Sequence, residues 1–174
     1  TYTPCSAMNV EGIDERRSNY DNAFNEHYKN TRDRTQRPVF AAGDFNIAPS
    51  EEDTTVPREM WKEIPSNKPF EKENYCKLLL QNSLVNVADS VQQTTKNLVC
   101  PERTWRKGKP GTSQYMAMRL DHVLAPKGHI DIKRSKGEPV YPNVSEFHST
   151  RGTYGSDHNG VCFTVTSSPR LVYT

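Results

Sequence analysis

The sequence has no CxxC pair, no internal repeat and no long apolar run. Its four cysteines, Cys5, Cys76, Cys100 and Cys162, are scattered along the chain. That spacing argues against a zinc site and against a disulfide framework. It points to an intracellular, reducing compartment, with nucleus, mitochondrion and cytoplasm not distinguished. No apolar stretch is long enough to span a membrane, so no membrane partner is expected. A dominant charge is lacking too: 23 Lys and Arg against 21 Asp and Glu leave a net charge of +2. Such a balance permits a nucleic-acid partner without implying one. Hydrophobic residues make up only 33% of the 174, and the mean hydropathy is −0.86. With 12 prolines, that composition predicts long ordered loops around one core.

What is present alternates between helical and extended patterns. In "IDERRSNYDNAFNEHYKNT", Ile13, Tyr20, Phe24 and Tyr28 recur at helical spacing, and Asp14 and Glu15 suit its N-terminal end. A basic turn, "RDRTQRP", is expected next, then a strand over Val39 to Ala42 closed by Pro49. A second helix is expected in "EKENYCKLLLQNS", with Tyr75, Leu78 and Leu79 on one face. "LVNVADS" reads as a short connector or strand. Further strands are expected near Thr104 and Trp105, over Met118 to Leu124, and over Val161 to Val165. A long polar loop separates the last two, from Lys127 to Tyr154. The pattern is that of a layered α/β fold, a sheet covered by helices. Because "TYTP" reads as the end of a strand, residues 1–174 are expected to be the C-terminal portion of one longer domain.

Polar clusters stand at three strand ends: Asp44 with Asn46 in "GDFN", Asp121 in "RLDH", and Asp157 with His158 in "GSDHNG". Strand ends in a layered sheet protein share one edge, so these residues can meet there. Carboxylates would hold a hard cation through oxygen or orient water, and an imidazole would hydrogen-bond a phosphate oxygen. Simpler readings stand beside this one. Asp-Phe-Asn and Asp157-His158 suit ordinary turns, and Arg119 with Asp121 suits a plain ion pair on one strand face. Arg103, Arg106, Lys107 and Lys109 around Trp105 suit a phosphate backbone, although Trp105 also suits the core.

Taken in order, "GDFNIAPSEED", "RLDHVL" and "GSDHNGVCFTV" resemble the endonuclease/exonuclease/phosphatase superfamily. Within it the chain is similar to the exonuclease III-type apurinic/apyrimidinic (AP) endonucleases, through "YTP", the acid- and arginine-rich helix, "KPFEKENYCKLLLQNSLVNVADS" and the Thr104-Trp105 pair. The resemblance implies the C-terminal half of a DNase I-like four-layer α/β sandwich, two mixed sheets flanked by helices. It implies an Mg²⁺-dependent nuclease (Mn²⁺ being the alternative) that cuts duplex DNA 5′ to an abasic site and trims 3′ ends in base excision repair. Asp44 would activate water, Asn46 would orient it, and His158, held by Asp121, would contact the phosphate. Tyr2 would bond the same phosphate, and Asp157 with Asp44 would serve the metal. Arg103, Arg106, Lys107 and Met118 would meet the nucleic acid.

The chain departs from that pattern in places. Cys5 replaces an amide that holds the DNA phosphate, and suits a buried small residue. Met118 stands where eukaryotic members carry a tryptophan. The half that would supply the main Mg²⁺-binding glutamate is not among the 174 residues, so it is expected from the same or a separate polypeptide. The loop over 127–154, with Lys127, Lys133, Arg134 and Lys136, reads as a surface insertion or as a contact to nucleic acid or a partner. A retroelement-type endonuclease, an RNA deadenylase or a lipid phosphatase would share "GDFN" and "SDH". The alternative of another class is a non-catalytic half-domain kept as a structural or binding subunit of a larger assembly.

Overall fold

The computed structural model describes residues 3–5, 11–94, 103–130, 143–150 and 157–166. Its first element is helix α1, Ile13–Thr35, with Asp14 and Glu15 in the first turn and Arg32 and Arg34 in the last. Both placements oppose the helix macrodipole. The helix thus runs through most of the basic segment expected to be a turn. It stops at Gln36, whose left-handed backbone lets its N–H bond the Arg32 carbonyl.

Strand β1, Ala41–Asp44, lies two residues further on than the expected one. Gly43 is the reason. It sits inside the strand at φ 145, a backbone open to glycine, and pairs with His122. A glycine that reads as a strand terminator is here a strand residue, so Asp44 is in the strand rather than after it.

Helix α2, Pro69–Gln81, starts on proline at its first turn, and Glu71 accepts the Lys68 backbone N–H at 3.0 Å. Strand β2, Leu84–Asn86, leads directly into helix α3, Val87–Thr94. Strand β3, Trp105–Lys107, pairs antiparallel with β4, Met116–Met118. Strand β5, Asp121–Pro126, is central to an antiparallel sheet ordered β1-β5-β2. The single strand expected over Met118 to Leu124 is therefore two. The chain changes partners at Arg119-Leu120, where Arg119 N–H bonds the Asp53 carbonyl instead of a ladder neighbour.

Strand β6, Asn143–Thr150, pairs antiparallel with β7, Gly160–Thr166, with an irregularity between Val144 and Glu146. It occupies part of the stretch expected to be loop. "NVSEFHST" lacks the apolar content that marks a strand, so only its pairing reveals it. Lys133, Arg134 and Lys136 lie outside the described residues.

Strand period two decides which face each side chain takes. On β5, Leu124 joins Tyr28, Phe45, Tyr75 and Leu78 beneath α1 and α2. Val123 and Ala125 point the other way, packing with Val87, Val161 and Phe163. Both sheet faces are covered, the layered arrangement expected of the fold.

His122 shares the face of Leu124 and is 1% exposed. Its Nδ1 accepts from Asn86 Nδ2 at 2.9 Å, and its Nε2–H donates to the Ile47 carbonyl at 2.8 Å. That pattern uses the neutral ring, and burial, then the nearby Arg119 charge, lowers its pKa from 6.5. The stability it contributes is present above pH 6.5 and is lost as pH falls from there through the lowered value. Thermal melts between pH 7 and 5 are expected to show this loss, at most about 1.4 kcal/mol per pH unit for one proton. His122→Gln should flatten that part of the profile.

Candidate active site

The β1–β5 register places Asp44 opposite Asp121, at the end of the sheet away from the Leu84–Pro126 pair. Directly opposed residues share a face, so two carboxylates are held side by side. Burial raises the Asp44 pKa above 3.8, and the Asp121 charge raises it further; the Asn46 backbone N–H and the nearby His158 act against this.

Asn46 follows the strand at φ 46, a left-handed backbone that asparagine tolerates. That twist folds it back onto Asp44. Its N–H donates to Asp44 Oδ1 at 2.8 Å, and its Nδ2 donates to Asp44 Oδ2 at 2.9 Å and to the Thr3 carbonyl at 2.7 Å. The Asx-type turn is therefore real, and it is part of the site rather than an alternative to it.

His158 reaches Asp121 through the backbone of β3. Trp105 bridges His158, Arg106 N–H bonds the Asp157 carbonyl, and Asn159 N–H bonds the Thr104 carbonyl at 2.6 Å. With the chain so placed, His158 Nδ1 lies 2.8 Å from Asp121 Oδ2. The carboxylate fixes the ring and turns Nε2 away from itself. Asp44, Asn46, Asp121 and His158 are thus brought to one end of the sheet.

Thr104 was not among the expected site residues, yet it ties both halves of that pair. Its Oγ1 accepts from the N–H groups of Leu120 and Asp121, at 3.0 and 3.1 Å, while its carbonyl holds Asn159. Thr104→Val keeps the shape and leaves the two amides without their acceptor. It is expected to cost about 1–3 kcal/mol, read from the denaturant midpoint, and to weaken any activity that depends on His158.

Asp157, expected to serve a metal, is exposed, and its Oδ2 accepts from Trp105 Nε1 at 2.8 Å. Arg119 pairs with Asp53 and Asp89 and not with Asp121. Arg106 and Lys107 are exposed on β3, and Arg103 is half-buried. Cys5 is exposed, not buried. Tyr2 lies outside the described residues.

Beside Asn46 and His158 opens a cavity of about 260 Å³. Its wall is largely apolar, formed by Ile64, Trp105, Met116, Met118 and Leu120, with Cys5 and Lys107 also lining it. Trp105 packs against the cluster of Met118, Leu120, Ile64 and Val56, so it belongs to the core and the cavity wall together.

Among the described residues, no group of three or more His, Cys, Asp or Glu side chains is placed to hold a metal ion. Asp44 and Asp121 are hard oxygen donors of the kind that a cation such as Mg²⁺ takes.

A family model for the endonuclease/exonuclease/phosphatase family matches residues 11–158. The chain belongs to that family. A DNA-(apurinic or apyrimidinic site) endonuclease of Plasmodium falciparum is 28% identical over 182 residues, covering 91% of this chain. The chain spans 28% of that relative's length. The structure of a 3′ phosphatase from Neisseria, NExo, bound to product DNA hairpin, aligns with a TM-score of 0.62 at 20% identity. That alignment covers 92% of this chain and 57% of the Neisseria chain, and it establishes a shared fold. The matched range contains the "GDFN" and "RLDH" segments and ends at His158.

Proposed function

We propose that the complete protein containing this chain is a divalent-metal-dependent phosphodiester hydrolase acting on DNA, an AP endonuclease that also trims 3′ ends. The observation that carries this reading is the apolar cavity beside Asn46 and His158. A sugar that has lost its base presents little to hydrogen-bond and can enter an apolar pocket. A base-paired nucleotide would have to leave the stack first, at a cost of a few kcal/mol. The AP endonuclease relative and the 3′ phosphatase neighbour agree with this substrate class.

In the proposed reaction Asp44 orients a water and takes its proton, its carboxylate held in place by the Asn46 N–H and Nδ2. Asn46 holds Asp44 and faces the phosphate from the cavity rim. His158, steadied by Asp121, meets the charge that develops on the phosphate oxygens. A bound Mg²⁺ or Mn²⁺ would neutralise phosphate charge, with Asp44 and Asp157 as the oxygen donors on this chain. Exposed Arg106 and Lys107, with Arg103 behind them, would carry the DNA backbone past Met118.

The experiment compares incision of a labelled duplex holding one abasic analogue with incision of the intact duplex, using the complete protein. Cleavage on the 5′ side of the analogue, in clear excess over intact DNA, is expected. Equal cleavage of both duplexes would remove the abasic specificity. No cleavage of either, with none at 3′-blocked ends, would favour the non-catalytic alternative.

A further inference from the structure

On the side of the "GDFN" turn facing α1 stands a residue that neither the motifs nor the reaction above uses. Arg17 is 3% exposed on α1, a helix whose buried residues are only Arg17 and Tyr28. Its guanidinium bonds almost entirely outside its own helix. Nη2 donates to the Phe45 carbonyl at 2.9 Å, and Nη1 to the Asn46 carbonyl at 3.0 Å. Nη1 also meets the Pro4 carbonyl at 2.9 Å and Glu71 Oε1 at 3.5 Å. Nε is fixed by Asp21 Oδ1 at 2.9 Å, one helical turn along. One planar group thus joins α1, α2, the 3–5 segment and the turn that carries Asp44 and Asn46.

The carbonyls it takes are significant. Asp44 closes the β1 ladder, and Asn46 has turned into a left-handed backbone. The carbonyls of Phe45 and Asn46 therefore face away from the sheet, and a buried carbonyl without a donor is costly. The fork of N–H groups answers both at once and in a fixed direction. A lysine ammonium would keep the charge beside Asp21 and Glu71 but could not span these acceptors.

We propose that Arg17 is a positioning residue for the candidate site, its guanidinium setting the orientation of the Asp44–Asn46 turn from behind. The kinetic part of this inference rests on the hydrolase reading above; the geometric part does not.

The test is made on the complete protein with Arg17→Lys, and with Arg16→Lys, an exposed neighbour on the same helix, as the control. Assays run well below each variant's melting temperature. Arg17→Lys is expected to lower kcat on the abasic duplex by about 100-fold, the scale of a small misplacement of reacting groups. KM should stay within about threefold, because the groups that bind DNA are not those displaced. In amide NMR spectra, signals of Asp44 and Asn46, including the Asn46 side-chain amide, should move while those of β6 and β7 stay. Arg16→Lys should resemble the parent in both readouts. Unchanged kcat in folded Arg17→Lys, or shifts spread evenly over the whole spectrum, would overturn the proposal. If Arg17→Lys does not fold, Asp21→Ala decides: a kcat loss at constant KM supports the proposal, and parental kcat overturns it. If the parent itself cleaves nothing, the hydrolase reading fails, and selective displacement of the Asp44 and Asn46 signals still decides the role of Arg17.

Discussion

Asp44→Asn in the complete protein is expected to lower kcat on an abasic duplex by about 10²–10⁴-fold, the usual contribution of a placed acid–base group. It should do so without loss of thermal stability. The carboxylate is partly buried, faces Asp121 across the strand pair, and has a raised pKa. A carboxyl group whose folded pKa lies above its ordinary 3.8 contributes its stability below that value, and loses it as pH rises through the folded value. At neutral pH the charged form is thus a cost to the fold. Asparagine removes the charge and the repulsion and keeps a carbonyl oxygen for the Asn46 N–H, and this gain offsets the lost bond from Asn46 Nδ2. The predicted signature is a dead or nearly dead enzyme whose melting temperature changes little, because the relieved charge and the lost Asn46 Nδ2 bond act in opposite directions. A large fall in melting temperature would mean that Asp44 serves the fold rather than the chemistry.

The largest effect on stability is expected at Arg119. This residue occupies the crossover between β4 and β5, and its side chain is 4% exposed. Nη2 lies 2.5 Å from Asp53 Oδ1 and 2.5 Å from Asp89 Oδ1. Burial works against the charge, but Asp53 and Asp89 outweigh it and hold the guanidinium above its ordinary range. The Asp53 contact is an ion pair without hydrogen-bond alignment, whereas its Oδ2 accepts from Ser50 N–H and Oγ. Arg119→Met fills the volume but strands a buried carboxylate. A loss of about 3–5 kcal/mol is expected in denaturant unfolding. Adding Asp53→Asn should restore part of it, since the stranded charge is then gone and the Ser50 contacts can persist. Asp89, about half exposed, can be solvated, so Asp89→Ala should cost less than about 1 kcal/mol. Equal effects for Asp53 and Asp89 substitutions would contradict this account.

Much of this was legible in the residue order. The sparse apolar positions of α1 and α2 sufficed because each helix presents one face to one sheet, where Tyr28, Tyr75 and Leu78 are buried. The convergence of Asp44, Asn46, Asp121 and His158 follows from strand ends sharing an edge. Less legible were features that depend on partner choice. The split at Arg119-Leu120 has no local signal, because Thr104 and Asp53 supply its hydrogen bonds from far along the chain. Strand β6 is set by its pairing with β7 rather than by its own composition. Arg17 stands among charged residues on α1, and only the i, i+4 spacing to Asp21 hinted at it. Nothing else in the helix alone tells it from Arg16, whose i+4 residue is Tyr20. The Trp105 indole that bonds Asp157 had no signal in the sequence, since 52 positions separate the two residues.

The central claim is that the β1 turn and the Asp121–His158 pair form one catalytic unit. The most direct test is a kinetic double-mutant cycle on abasic-duplex incision, with Asp44→Asn, His158→Ala and the two combined. Residues that act as a unit fail together. The account predicts that the double variant loses no more than about tenfold beyond the worse single variant. Losses that multiply across the cycle, or either single variant retaining parental kcat, would contradict it.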